Sequence, residues 1–87
     1  MIKLIDIRVA GDTYLDLAFS DGSTARWDGA AIIARNTVMT QPLTDPVYFA
    51  RAFIEAGALA WPNGLEFSAE ALHRRLAAEG ELVRKAA

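Results

Sequence analysis

The sequence predicts one small α+β domain, opening with an antiparallel β-meander and closing with an α-helix. Three observations predict it. Apolar and polar residues alternate through the first third of the 87-residue chain, the period-two signature of half-buried strands. The turn signals Gly11-Asp12 and Asp21-Gly22 separate those stretches at hairpin spacing. Near the end, apolar residues recur every three or four positions between a capping serine and a glycine stop.

In the first strand Ile5, Ile7 and Val9 alternate with Asp6 and Arg8, and in the second Leu15, Leu17 and Phe19 alternate with Asp16 and Ala18. Thr24 to Asp28 makes a third strand, with Ala25 and Trp27 on one face and Thr24 and Arg26 on the other. Gly29 to Arg35 is a short alanine- and isoleucine-rich stretch, one or two helical turns covering the apolar face of the sheet. Asn36 to Leu43 has no period and reads as a loop. Thr44-Asp45-Pro46 is a helix start, with a capping side chain followed by proline at the first helical position. Beyond it two patterns coexist. Val47, Ala50, Phe53 and Ile54 fit a helical stripe stopped by Gly57, yet Ala52, Ile54 and Ala56 alternate with Arg51, Phe53 and Glu55 as in a strand. Trp61-Pro62-Asn63-Gly64 breaks any regular element. Ser68 caps the last helix, Phe67 packs on Leu72 as a hydrophobic staple, and Ala69, Leu72, Leu76 and Ala77 form its apolar face. Gly80 ends it. The domain is expected to span residues 1–80, with a frayed tail at 81–87.

Composition narrows the function classes. The chain has no cysteine, which removes thiol nucleophiles, thiolate metal ligands and disulfides. Hydrophobic residues make up 53% of the chain, as in a folded domain. No apolar run is long enough for a signal peptide or a spanning helix, so the expected location is cytoplasmic with no membrane role. Net charge is −2 and the isoelectric point is near 5.2, which counts against nucleic acid as the main partner.

Taken in order, Phe19-Ser20-Asp21-Gly22-Ser23, Trp27-Asp28, Pro42-Leu43-Thr44-Asp45-Pro46 with Phe49, Trp61-Pro62-Asn63-Gly64 and Ser68-Ala69-Glu70-Ala71-Leu72 resemble the bacterial family DUF2442, a domain of unknown function. The resemblance runs from about Ile5 to about His73. It implies a short helix at Pro46 to Phe49, a strand near Arg51 to Glu55, and a hairpin into Leu59 to Trp61. The expected fold is then an N-terminal three-stranded antiparallel meander, short helices, a further β-hairpin and a C-terminal helix in one small α+β domain. The chain departs from the family pattern at Glu66, Ala69 and His73, where aspartate, proline and tyrosine are usual. The family brings no biochemical activity with it. Its members often stand beside another small protein in a toxin–antitoxin-like arrangement, which implies a binding partner.

His73 is the only histidine and so the natural candidate for acid–base chemistry. No carboxylate at helical spacing orients it, since Glu70 sits at the exposed first turn, and the simpler reading is a half-buried structural residue. Asp12, Asp21 and Asp45 have roles in turns and caps. Asp28 and Glu66, each near an aromatic, could form a carboxylate pair for sugar hydrolysis, or each could satisfy backbone donors. Arg74, Arg75, Arg84 and Lys85 could touch phosphates, or form a solvated helix face. Trp27 reads as a core anchor, while Trp61 could be core or an exposed contact residue. The sequence thus assigns no catalytic, cofactor-binding or metal residue. Its expected role is protein–protein interaction with another small bacterial protein, through Trp61, Pro62, Asn63, Gly64, Glu66 and His73 or through a sheet edge. Homo-oligomerisation is compatible with this. The alternatives are a nucleic-acid-linked regulator and a small hydrolase or carbohydrate-binding domain.

Overall fold

The computed structural model describes residues 1–84. Strands β1 (Leu4–Val9), β2 (Tyr14–Phe19) and β3 (Thr24–Asp28) form one antiparallel sheet in the order β1-β2-β3. Helix α1 (Ala30–Ile33), a 3-10 turn (Gln41–Thr44) and helix α2 (Pro46–Phe49) lead to a second sheet. That sheet comprises β4 (Phe53–Glu55), β5 (Ala58–Ala60) and β6 (Glu66–Phe67), also antiparallel, and helix α3 (Ala69–Ala78) follows. The α+β architecture read from the sequence is the one observed.

Alternation builds the first sheet. Leu15, Leu17 and Phe19 of β2 and Ala25 and Trp27 of β3 face the core. On the solvent face Asp16 lies directly opposite Arg26 and accepts two hydrogen bonds from it, at 2.8 and 3.2 Å. The first strand departs from the expected pattern. A β-bulge between Leu4 and Asp6 shifts the register, so Leu4 takes the buried position while Ile5 stands 62% exposed; Val9, in regular register opposite Leu15, is 53% exposed at the sheet edge. A bulge inserts one residue on one strand and interrupts the alternation there.

The two sheets meet at an aromatic cluster. Trp27 of β3 lies 6.4 Å from Phe49, 6.2 Å from Trp61 and 6.0 Å from Phe67, centroid to centroid. Gly29 permits this approach, because a Cβ there would sit 2.9 Å from the Phe49 ring. Between the sheets, the Leu4 amide donates to the Gly57 carbonyl at 2.9 Å.

The segment with two competing patterns resolves as the family resemblance implied. Asp45 caps α2 by accepting from the Val47 amide at 3.0 Å, and the helix ends at Phe49. The returning strand is shorter than Arg51 to Glu55, covering Phe53 to Glu55 only. Ser68 caps α3 through the Ala71 amide at 3.1 Å. At the other end Glu81 donates to the Leu76 carbonyl and Gly80, at φ +73°, to that of Ala77. These two bonds form a Schellman stop.

That stop redirects the chain onto the first sheet. Val83 and Thr24 exchange both backbone hydrogen bonds, at 2.7 and 2.9 Å. Of the tail expected from residue 81, Glu81 is bonded to the end of α3 and Val83 to the β3 edge, and residues 85–87 lie outside the described residues.

Candidate functional site

Three clusters gather the residues with chemical potential. The first is the turn after β5. The Trp61 amide donates to Leu65 O at 2.9 Å and the Gly64 amide to Trp61 O at 3.0 Å, with Gly64 at φ +93°. This is a three-residue hairpin loop whose glycine takes the left-handed position. The β2–β3 hairpin closes the same way, with Gly22 in that role.

Asn63 then sews this turn to the preceding loop. Its Nδ2 donates to the Met39 carbonyl at 2.9 Å, and its Oδ1 accepts from the Leu65 amide at 3.1 Å. The Asn63 backbone amide donates to the Tyr48 hydroxyl at 3.0 Å. The loop is itself braced, since Thr37 and Thr40 each accept the other's amide at 3.0–3.1 Å. The result is a fixed ledge carrying Pro62, Val38 and Met39 toward solvent, with Val38 87% exposed.

Trp61 does not belong to that ledge. It is 1% exposed and its indole N–H donates to the Phe49 carbonyl at 3.0 Å. The exposed-contact alternative for Trp61 is corrected: the turn offers Pro62, Asn63 and Gly64, while the indole anchors the core. Glu66 is exposed on β6.

The second cluster centres on Asp21. Its Oδ1 accepts from the Ser23 amide at 3.0 Å and from the buried Ser23 hydroxyl. Its Oδ2 lies 2.9 Å from His73 Nε2 and 3.5 Å from Arg84 Nη1. The Ser23 hydroxyl and amide, with a smaller contribution from His73, hold the Asp21 carboxyl well below the usual carboxylate range. The carboxylate orienting His73 thus comes from the β2–β3 turn, 52 residues away in sequence. His73 also sets its ring edge-on to Phe19, at 5.1 Å.

Serine, histidine and aspartate meet here, but in the wrong order for nucleophilic catalysis. A catalytic triad needs the histidine between the serine and the carboxylate, so that it can take the hydroxyl proton. Here the carboxylate stands in the middle and engages both. The arrangement clasps the hairpin, α3 and the C-terminal segment together. His73 and Asn63 share no hydrogen-bond partner.

The third cluster is a half-open groove of about 1020 Å³ between β3, α1 and α3. Trp27, Ile32, Phe67, Leu72 and Leu76 line it, with Arg26, Arg35, Arg74 and Arg75 among its charged residues. Arg26 is paired with Asp16 and Arg75 with Glu79. Arg84 is engaged by Asp21 on another part of the molecule, and Lys85 lies outside the described residues. Of the described cations proposed for phosphate contact, Arg74 and Arg75 share the groove and Arg84 does not.

Asp28 lines this groove and Glu66 does not. Asp28 Oδ1 accepts from Thr13 Oγ1 at 3.1 Å and from the Ala30 amide at 2.9 Å, holding the start of α1. Glu66 precedes Phe67, whose ring packs on Trp27, so strand alternation turns Glu66 to the opposite face. The two carboxylates do not form a pair across the groove.

Together these clusters define a small α+β domain whose polar side chains fasten loops to one another. Among the described residues no helix is long and apolar enough to cross a membrane. The chain belongs to the family described as protein of unknown function (DUF2442), whose model matches residues 4–77. No curated protein and no solved structure matches it.

Proposed function

We propose that the domain is a protein–protein interaction module, the small partner of another small protein. Its contact surface is the ledge of Pro62, Val38 and Met39. The observation that carries this reading is the latch at Asn63. It fixes two loops by three hydrogen bonds while the apolar side chains beside it stand in water. A rigid surface that exposes apolar groups loses little conformational entropy on binding. The Asn63 side chain is already bonded within the surface, so a partner there gains mainly by removing apolar area from water.

The test is capture of a partner by the tagged domain from its native cell extract, treated and untreated with nuclease, alongside Val38→Asp/Pro62→Ser. The expected result is one stoichiometric protein that survives nuclease, binds again as a purified component and is lost in the double variant. The variant must keep the wild-type circular dichroism. Equal binding by the folded variant would reject the ledge. Capture abolished by nuclease would replace this reading with a nucleic-acid-linked one.

A further inference from the structure

We infer that β1 is a homodimerisation edge, pairing antiparallel with β1 of a second copy about a two-fold axis at Ile7. This goes beyond the ledge proposal and does not depend on it. The β1-β2-β3 sheet ends at β1. The Ala10 amide bonds toward β2, to the Tyr14 carbonyl at 2.9 Å. Since backbone direction alternates along a strand, Ile7 and Val9 turn their N–H and C=O groups away from β2. Gly57 occupies this edge at Leu4, the bulge takes up Ile5, and the Gly11 turn follows Val9, leaving the outward groups of Ile7 and Val9 open among the described residues. The opposite edge is less available, because Val83 already pairs with β3 at Thr24.

The occupant is named by the sequence of the edge itself. Ile5-Asp6-Ile7-Arg8-Val9 reads apolar, acidic, apolar, basic, apolar. With Ile7 opposite Ile7, Asp6 lies opposite Arg8 of the second copy and Arg8 opposite its Asp6, while the bulge at Ile5 ends the regular pairing there. The charged cross-strand pair is then complementary, twice over by symmetry. The register also agrees with the hydrogen-bond directions, since the outward groups of the two Ile7 residues face each other. Edge strands are usually protected by charges of one sign, which repel a second copy. Asp6 and Arg8 cancel, and they attract in this register alone. In the single chain they form a loose pair at 3.6 Å, with side chains 60% and 81% exposed, and Arg8 also lies opposite Asp16 of β2. Exposed Val9 lies on the same face of this edge as Ile7.

The experiment is sedimentation equilibrium of the wild type, Arg8→Asp, and the exchange Asp6→Arg/Arg8→Asp. Both positions are solvent-exposed, so circular dichroism should be unchanged throughout. The wild type should dimerise at micromolar concentration. Arg8→Asp should weaken the dimer by roughly tenfold or more, because two attractive pairs become two repulsive ones. The exchange should restore wild-type association, which only this symmetric register requires. A wild type that stays monomeric to millimolar concentration, an Arg8→Asp variant that dimerises normally, or an exchange that fails to rescue would each overturn the inference. Partner capture through the ledge would be untouched by any of these results.

Discussion

Replacing Asn63 by alanine isolates the part of the turn that does structural work. The side chain makes two hydrogen bonds, to Met39 O at 2.9 Å and from Leu65 N at 3.1 Å. A neutral hydrogen bond contributes about 0.5–1.5 kcal/mol net. The site is exposed, so water replaces part of each bond and the expected loss is about 1–2 kcal/mol. For a domain of this size each kcal/mol moves Tm by about 4–8 °C, giving a fall of roughly 4–16 °C. Asn63→Asp keeps the acceptor for Leu65 and loses the donor to Met39, so it should lose about half as much. Thermal and urea denaturation measure both, and amide exchange at Leu65 should accelerate only in the alanine variant. An Asn63→Ala protein with wild-type Tm and slow Leu65 exchange would refute the latch.

Three further outcomes follow from the same reasoning. Ala56 sits at φ +49° beside Gly57 at φ +83° in the β4–β5 turn, so Ala56→Asn, better suited to that region, should stabilise by about 0.5–1 kcal/mol in urea denaturation. Trp61→Phe removes the donor to the buried Phe49 carbonyl and should cost about 1–3 kcal/mol, with no change in circular dichroism of the residual fold. Asp21 is held below its unfolded value near 3.9, so its stabilisation is present above that pH and lost as pH falls through its folded value. Asp21→Asn should therefore be less stable than wild type at pH 7 and show a shallower loss of stability in acid, read from urea midpoints across the pH range.

Elements whose instructions are local were legible in the sequence. Alternation gave β2 and β3, and Ser68 and Gly80 marked both ends of α3, because each signal acts within a few residues. The β4–β5 hairpin was not legible from periodicity. Its turn is Ala56-Gly57 rather than Asn-Gly, and three-residue strands are too short to separate from one helical turn. Family resemblance supplied what pattern could not. The inward face of β1 was misread because a bulge carries no compositional mark, and Leu4 lies just outside the alternating run. The Asp21–His73 clasp was invisible for another reason. Both residues had adequate local explanations, and nothing in sequence reports a contact spanning 52 positions. The same distance hid the role of Asn63, whose Met39 partner lies 24 residues upstream.

The way polar groups are used bears on where function can reside. A domain this small buries only roughly 60–65% of its unfolded surface, so its apolar core alone gives little margin. Here the shortfall is met by side chains that tie distant loops together. Asp21 joins three segments, Asn63 two, and Asp28 sets the entry to α1. Among the described residues no buried side-chain nitrogen or oxygen lacks a hydrogen-bond partner. Catalytic groups are commonly held in perturbed or unsatisfied states, ready to exchange a proton with substrate. Asp21, Asp28 and His73 are instead engaged in bonds whose loss would loosen the fold. What stays unsatisfied lies outside the clasps, as the apolar ledge around Pro62 and the open β1 edge with its exposed Ile5 and Val9. Unmet potential of that kind can be satisfied by another folded surface, and it is on these two exposed features that the proposed interaction role rests.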